Sequence, residues 1–392
     1  MWTRDFRLFF AARTVSMLGS AMVPVATALG MDAAGYGATG VGLALAAWML
    51  PVAGLILFGG VFADRFTPRR MMVGADVART LTQAAIATLF LTGHPVLWQV
   101  LVLTAISGAA AAMYTPGVAG TIPRITGDVQ RANAALKVAE SIMQLAGPGL
   151  AGLLVSLAGA GVVFGIEAAG FAASALCLLL MRARVRVTGE EPVLVRLREG
   201  WQEFKSRTWM WAVILIWAIF GITLFGPLIP LGVELVKGAY GQTAYGLVLS
   251  AGGAGTIIGG LIALRVRPAR PLAAGAAGML LFALQPLSMA VQAPLWVIMA
   301  GHVLGGVGLA FWSVMWATSI QTQVPPEALN RVSAFEIAGS IVSMPIGQAL
   351  AGPVGGIFGA AQVMAFSSAV ALVGCVVLLA VPQIRRLARV PA

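Results

Sequence analysis

A few ionisable residues interrupt long apolar stretches, and their chemistry sets the question. Glu140 stands alone in an apolar run, with Gln144 four residues later on the same helical face. Glu336 sits at a similar depth in another run, and Glu167, His302, Arg13, Asp76 and Arg79 are scattered through others. A carboxylate held in such surroundings is costly, so by default it marks function or finds a partner. A carboxylate that alternates between charged and neutral forms can couple proton flow to the movement of something else. Glu140 and Glu336 are the candidates for that role. Asp76, Arg79, Lys137 and Arg13 read as structural ion pairs, with Lys137 a helper close to Glu140. Glu167 and His302 are secondary candidates, and His302 also fits a satisfied polar residue between helices.

Other chemistry is lacking. No Ser/His/Asp set or metal-ligand spacing occurs, and Cys177 and Cys375 lie inside apolar runs as free thiols. The segment Gly252–Gly259 is glycine-rich, but it has no preceding strand and no lysine at a phosphate position. No cofactor is expected, and no enzyme activity.

The elements that must position these residues follow from composition. The chain has 392 residues, 59% hydrophobic and 10% charged. A soluble globular chain carries about 25% charged residues. Apolar stretches fall at about 8–30, 39–62, 71–92, 97–117, 133–158 and 160–182, then at 210–234, 241–264, 271–291, 295–320, 331–357 and 360–381. Each has the roughly 20 residues that a membrane helix needs. The expectation is an all-α membrane protein with twelve transmembrane helices, residue 8 opening a retained first helix. The net charge of +11 is spread through short gaps between the stretches, so the bilayer is the expected partner, with no nucleic acid.

The basic residues orient the chain. With the N-terminus inside, Arg65, Arg69, Arg70, Arg124, Arg131, Arg265, Arg267, Arg270 and Arg331 all fall in inner loops, while the outer loops hold only Lys237. Such one-sidedness predicts cytoplasmic termini in a multi-pass protein of the cell membrane. Residues 183–209 carry Leu194, Leu197, Trp201 and Phe204 at helical spacing among charges, which predicts an amphipathic surface helix. The expected organisation is therefore a six-helix bundle over 1–182, a cytoplasmic linker over 183–209, and a second bundle with a short basic tail over 210–392.

The second bundle repeats the first. Gly59-Gly60 and Gly259-Gly260 lie 200 positions apart, as do Arg65 and Arg265, Arg131 and Arg331, Gly147 and Gly347, and Gly108 and Gly308. Asp64 has no such copy, because Leu264 stands in its place.

Two motifs carry a family resemblance. In the first, Gly60, Asp64 and Arg65 precede Arg69 and Arg70 between two apolar runs. It resembles the loop between helices 2 and 3 of the major facilitator superfamily. Thr67 and Pro68 depart from the family's second glycine and first following base. The second motif, Gly147-Pro148-Gly149-Leu150-Ala151-Gly152, resembles the signature of that superfamily's exporters, there linked to proton antiport. Proline within a helix removes a backbone bond, and small residues let a neighbour slide past, which suits a hinge. Tyr114-Thr115-Pro116, Ile122-Pro123-Arg124 and Leu197-Arg198-Glu199-Gly200-Trp201 extend the resemblance to the drug-exporter branch with macrolide and siderophore exporters.

The resemblance implies two pseudo-symmetric six-helix bundles and secondary efflux of a hydrophobic or amphipathic small molecule, exchanged for protons by alternating access. It implies gating by Gly60, Asp64, Arg65, Arg69 and Arg70. Asp64 is expected to latch onto Arg331, and the hinge lies at Gly147, Pro148 and Gly152. The stretch 97–117 holds no charge, whereas proton-linked members of the family often carry an arginine there, so a relay must be built elsewhere. Aromatic residues expected at the substrate cavity are Trp48, Phe220, Phe225, Phe311, Trp312 and Trp316. A monomer is expected. The alternatives are an importer or facilitator on the same fold, and a non-transporting membrane scaffold or receptor.

Overall fold

The computed structural model describes residues 2–56, 68–126, 129–181, 201–202, 204–324, 332, 336 and 339–388. The expected linker falls mostly outside them. All regular structure among the described residues is helical, and the chain divides into two compact units, Met1–Val193 and Leu194–Ala392.

The first unit holds α1 (Arg4–Ala33), α2 (Gly37–Ile56), α3 (Pro68–Leu91), α4 (Leu97–Ile125), α5 (Val129–Ala158) and α6 (Ala160–Leu180). Thr3 starts α1: its hydroxyl accepts from the Phe6 amide at 3.1 Å and donates to the Ile125 carbonyl of α4 at 2.8 Å. That single side chain caps one helix and ties it to another. α1 packs on α5 and α6, α3 on α4 and α6, and α2 on α4.

The second unit holds α7 (Thr208–Phe220), a π-helical turn at Gly221–Phe225, α8 (Gly226–Gly232), a second π turn at Val233–Lys237, and α9 (Gly238–Arg265). There follow α10 (Pro271–Met279), a 3-10 turn at Leu280–Ala283, α11 (Leu284–Ala290), α12 (Leu295–Gln323), α13 (Met344–Phe358), α14 (Ala360–Ala380) and the short α15 (Pro382–Arg385). α9 and α10 pack on α12, α8 on α13, and α11 on α14.

Among the described residues, ten helical stretches are long and apolar enough to cross a membrane, against the twelve expected. Two physical reasons account for the difference. α3 spans 24 residues but carries Arg69, Arg70, Asp76 and Arg79, so composition alone excludes it. Thr208–Arg265 forms one helical stretch of 58 residues, more than twice the ~20 that one crossing needs. It bends at Gly241, whose φ of 84° is open to glycine.

The internal repeat is visible in packing. Gly159 and Gly359 both take positive φ, 81° and 88°, immediately before helices of 21 residues each. A Cβ added to Gly147 would lie 2.6 Å from the Ala21 Cβ, and one added to Gly347 would lie 2.6 Å from the Gly221 carbonyl oxygen. Residues 200 apart thus meet partners 200 apart, where two backbones approach closely. Gly108 packs against the Trp48 carbonyl of α2, and Gly306 against the Gly252 carbonyl of α9. Gly308 instead meets the Gly278 carbonyl.

Candidate functional site

The polar centre of the first unit starts on α3. Asp76 and Arg79 are one helical turn apart, and their side chains meet at 3.9 Å. Asp76 is wholly buried, and the Ser174 hydroxyl of α6 donates to its Oδ2 at 2.6 Å. Arg79 is also buried; its Nη2 donates to the Ser20 hydroxyl of α1 at 2.9 Å. Its guanidinium lies 3.6 Å from the centroid of the Phe171 ring of α6, a desolvated cation–π contact. One arginine therefore binds α1, α3 and α6 together. Arg13 of α1 lies over Tyr114 of α4 at 5.4 Å.

Two cavities flank this arginine. The larger, of 270 Å³, is lined by Arg13, Ser20, Trp48, Arg79, Tyr114 and Glu140, with Gln144 also at its wall. The smaller, of 90 Å³, is lined by Trp48, Gln83, Phe164 and Glu167, and again by Arg79. Glu167 is 3% exposed, and its Oε2 has no hydrogen-bond partner among the described residues. The Tyr114 hydroxyl is likewise buried and unpartnered there. Nearby, Gln83 donates to Ser107 at 3.3 Å.

The second unit is built differently. Trp217 stacks on Trp312 at 5.1 Å, Trp312 on Trp316 at 6.0 Å, and Trp209 meets Trp316 edge-on at 5.6 Å. Phe225 sits between Phe220 and Phe282. These rings form the core of the unit, with Phe220, Trp312 and Trp316 at 0%, 2% and 8% exposure. Phe311 is half-buried and packs at Gly278. The Trp316 indole N–H donates to Glu336 Oε1 at 2.8 Å. His302 is buried and its Nδ1 is 2.9 Å from the Ile298 carbonyl of its own helix.

The structure brings together Glu140, Trp48, Arg13 and Arg79 at one cavity. It places Glu336, Trp312 and Trp316 in the other unit, with Phe220 and Phe225. Arg69 Nε donates to the Leu178 carbonyl at 2.8 Å, and its Nη2 donates to the Leu179 carbonyl. It caps the C-terminal end of α6, where a cation is favoured. Arg70 is exposed at the start of α3. Within α5, Gly147 meets Ala21, Pro148 lies inside the helix, and Gly152 is buried. Gly60, Asp64, Arg65 and Arg331 lie outside the described residues.

The sequence carries no signal for Ser20, Ser174 and Gln83, and marks Tyr114 only as part of a family motif. Small polar residues are common in membrane helices, and only their convergence on Asp76, Arg79 and the cavities distinguishes them. Among the described residues no group of His, Cys, Asp and Glu could hold a metal ion. The arrangement offers two guanidinium groups, a carboxylate, a phenol and an indole around a small cavity. Such a set can bind a compound with both apolar and polar parts, and can hold or release a proton.

An all-helical membrane chain in two repeated units, with buried charge around cavities, has the architecture of a secondary transporter. The family model "Major Facilitator Superfamily" matches residues 8–335, and the chain belongs to that superfamily. It is a multi-pass membrane transporter rather than an enzyme. Macrolide efflux protein A of Streptococcus pyogenes is 22% identical over 362 residues, covering 88% of each chain. The enterobactin exporter EntS of Escherichia coli is 24% identical over 400 residues, covering 98% of this chain and 94% of its own. Among solved structures, the nucleoside transporter NupG superimposes with a TM-score of 0.75 at 14% identity, over 95% of this chain and 98% of its own. A POT family transporter in complex with a thioalcohol-conjugated peptide superimposes with a TM-score of 0.74 at 12% identity, over 98% and 97%. These two likenesses concern the fold alone.

Proposed function

We propose that this transporter is an exporter in the cell membrane that exchanges a hydrophobic or amphipathic small molecule for protons by alternating access. The observation that carries this reading is the 270 Å³ cavity of the first unit, where Arg13, Arg79 and Glu140 stand beside Trp48 inside a largely apolar bundle. Charged groups at membrane depth are expensive to bury, and they mark substrate or proton paths. The cavity is below the roughly 300–1,000 Å³ of a typical small-molecule site, so it would hold one polar portion of a larger compound. Relatives named for macrolide efflux and enterobactin export support outward transport of a bulky natural product, drug or siderophore.

In this reading Glu140 is the carboxylate that meets substrate and proton at the cavity, and Glu336 is its candidate counterpart in the second unit. Gly147, Pro148 and Gly152 form the hinge in α5. Gly60, Asp64, Arg65, Arg69 and Arg70 form the gating motif, with Asp64 latched to Arg331. Both termini face the cytoplasm, and the working unit is a monomer.

The test is expression in a pump-deficient bacterium exposed to a panel of macrolides, catecholate siderophores and amphipathic drugs. The expected result is lower accumulation of at least one class, restored by a protonophore. Accumulation that a protonophore leaves unchanged contradicts proton coupling, and uptake instead of loss contradicts export.

A further inference from the structure

We propose that Glu167 is a further proton-carrying residue of this transporter, poised by Arg79 at the smaller cavity. This rests on the proton-exchange reading and adds a carboxylate that its cavity chemistry does not use. The case is one of charge balance. α6 packs on α1, α3 and α5, and the described charged side chains in this centre are Arg13 from α1, Asp76 and Arg79 from α3, Glu140 from α5, and Glu167 itself. Tyr114 of α4 is the remaining titratable group at the larger cavity.

Among the described side chains, Arg79 is the cation that stands between two buried carboxyl groups, Asp76 and Glu167. The Asp76 Oδ2 accepts from Ser174, while its Oδ1, which has no hydrogen bond among the described residues, lies 3.9 Å from Arg79. Glu140 lines the larger cavity with Arg13. Glu167 has a buried Oε2 with no hydrogen-bond partner among the described residues, in a 90 Å³ space that it shares with Arg79. A buried charge without a counter-ion is far less tolerable than a paired one. One arginine between two carboxyl groups is balanced by one proton, and Glu167, which lines the cavity, is placed to take it.

Two further observations show that the fold itself does not ask for this acid. At the position 200 residues on, Ser367 replaces Glu167, and its hydroxyl is satisfied by the Thr223 carbonyl at 2.6 Å and the Val363 carbonyl at 2.9 Å. Opposite Glu167, α1 has Gly19, where a Cβ would lie 2.8 Å from the Glu167 Cγ. Space has been left for a side chain that helix packing could do without. The step is a proton transfer only. An O–H bond forms on the Glu167 carboxylate with a proton taken from water on one side of the membrane, and breaks when that proton returns to water on the other.

The experiment is an infrared pH titration of the purified full-length protein reconstituted in lipid, with no substrate present. The C=O stretch of a protonated carboxylic acid is followed in wild type, E167Q, E167D and E140Q. The expected result is a titrating band that E167Q removes, E167D moves in frequency, and E140Q leaves in place. A band that persists unmoved in E167D, or that is lost in E140Q and kept in E167Q, overturns the assignment. Should E167Q fail to fold, the frequency shift in E167D decides alone. Proteoliposome transport of erythromycin with an imposed pH gradient then separates the two claims. Wild-type transport indifferent to the gradient removes the proton-exchange reading while leaving proton binding on Glu167 intact. Gradient-driven transport that is undiminished in E167Q removes the coupling role of Glu167 alone.

Discussion

The two units share a plan but not a centre. In the first, Arg13, Ser20, Glu167, Phe171 and Ser174 surround the Asp76–Arg79 pair. At the positions 200 residues on, the second unit has Val213, Phe220, Ser367, Ala371 and Gly374. Where α3 carries its ion pair, α10 carries Gly275, Ala276, Gly278 and Met279. Val213, Phe220, Ala276, Met279 and Ala371 all belong to the apolar core of that unit. The same helix packing thus encloses charged cavities in one copy and stacked tryptophans in the other. The difference shows that the polar centre is not needed to build a bundle of this kind. The charged centre of the first unit is therefore where the proposed function is assigned.

The comparison can be broken most sharply at the ion pair. Arg79→Met introduces a residue of the second unit into the first and leaves Asp76 buried without its cation. A loss of about 3–5 kcal/mol is expected, read as a lower unfolding temperature in detergent, together with loss of transport. Adding Asp76→Ala should recover most of the stability and none of the transport. A double variant no more stable than Arg79→Met alone would show that the centre is held by something other than that pair.

A smaller effect tests the shared plan. Gly347→Ala pushes a methyl group toward the Gly221 carbonyl oxygen and the Ile222 backbone, whereas Gly147→Ala meets first the Ala21 methyl. Backbone yields less than a side chain does. Gly347→Ala should destabilise by about 1–3 kcal/mol, and Gly147→Ala by less, in parallel thermal melts. The reverse order would mean that the two crossings are not equivalent.

Next comes Glu336, an acid fastened to the aromatic core of the second unit. Trp316→Phe keeps the ring and removes the N–H that reaches Glu336. A loss of about 1–2 kcal/mol is expected for the unsatisfied acceptor. An unchanged melting temperature would mean that Glu336 finds water instead. The smallest change is Ser367→Ala, which removes a hydroxyl bonded to two backbone carbonyls and should cost about 0.5–1.5 kcal/mol with transport intact. A transport defect there would extend function into the apolar unit.

Much of the scaffold was legible in the sequence because apolar length and glycine punctuation are strong signals. α6 was expected over 160–182 and runs Ala160–Leu180, started by the positive φ of Gly159. The pairing of Asp76 with Arg79 was also legible, since residues three apart share a helix face. What sequence could not supply was convergence. Nothing in the order of residues joins Ser20, Ser174 and Phe171 to Arg79, or sets Gly19 against Glu167. Phe220, Trp312 and Trp316 were expected at a cavity and are found in a core. A helix that is apolar all round gives no periodicity by which to tell the two apart. The π turns at Gly221–Phe225 and Val233–Lys237 left no trace either, because one extra residue per turn leaves composition unchanged.

The account turns on a proton gradient doing work through the charged unit. The direct measurement is macrolide accumulation in proteoliposomes against protein-free vesicles, with the lumen made acid, neutral or alkaline relative to the outside. Wild type should accumulate compound only into an acid lumen and lose it when a protonophore is added, and Arg79→Met with Asp76→Ala should not respond to the gradient. Equal accumulation under all three conditions, or a gradient response that survives in the double variant, would contradict the account.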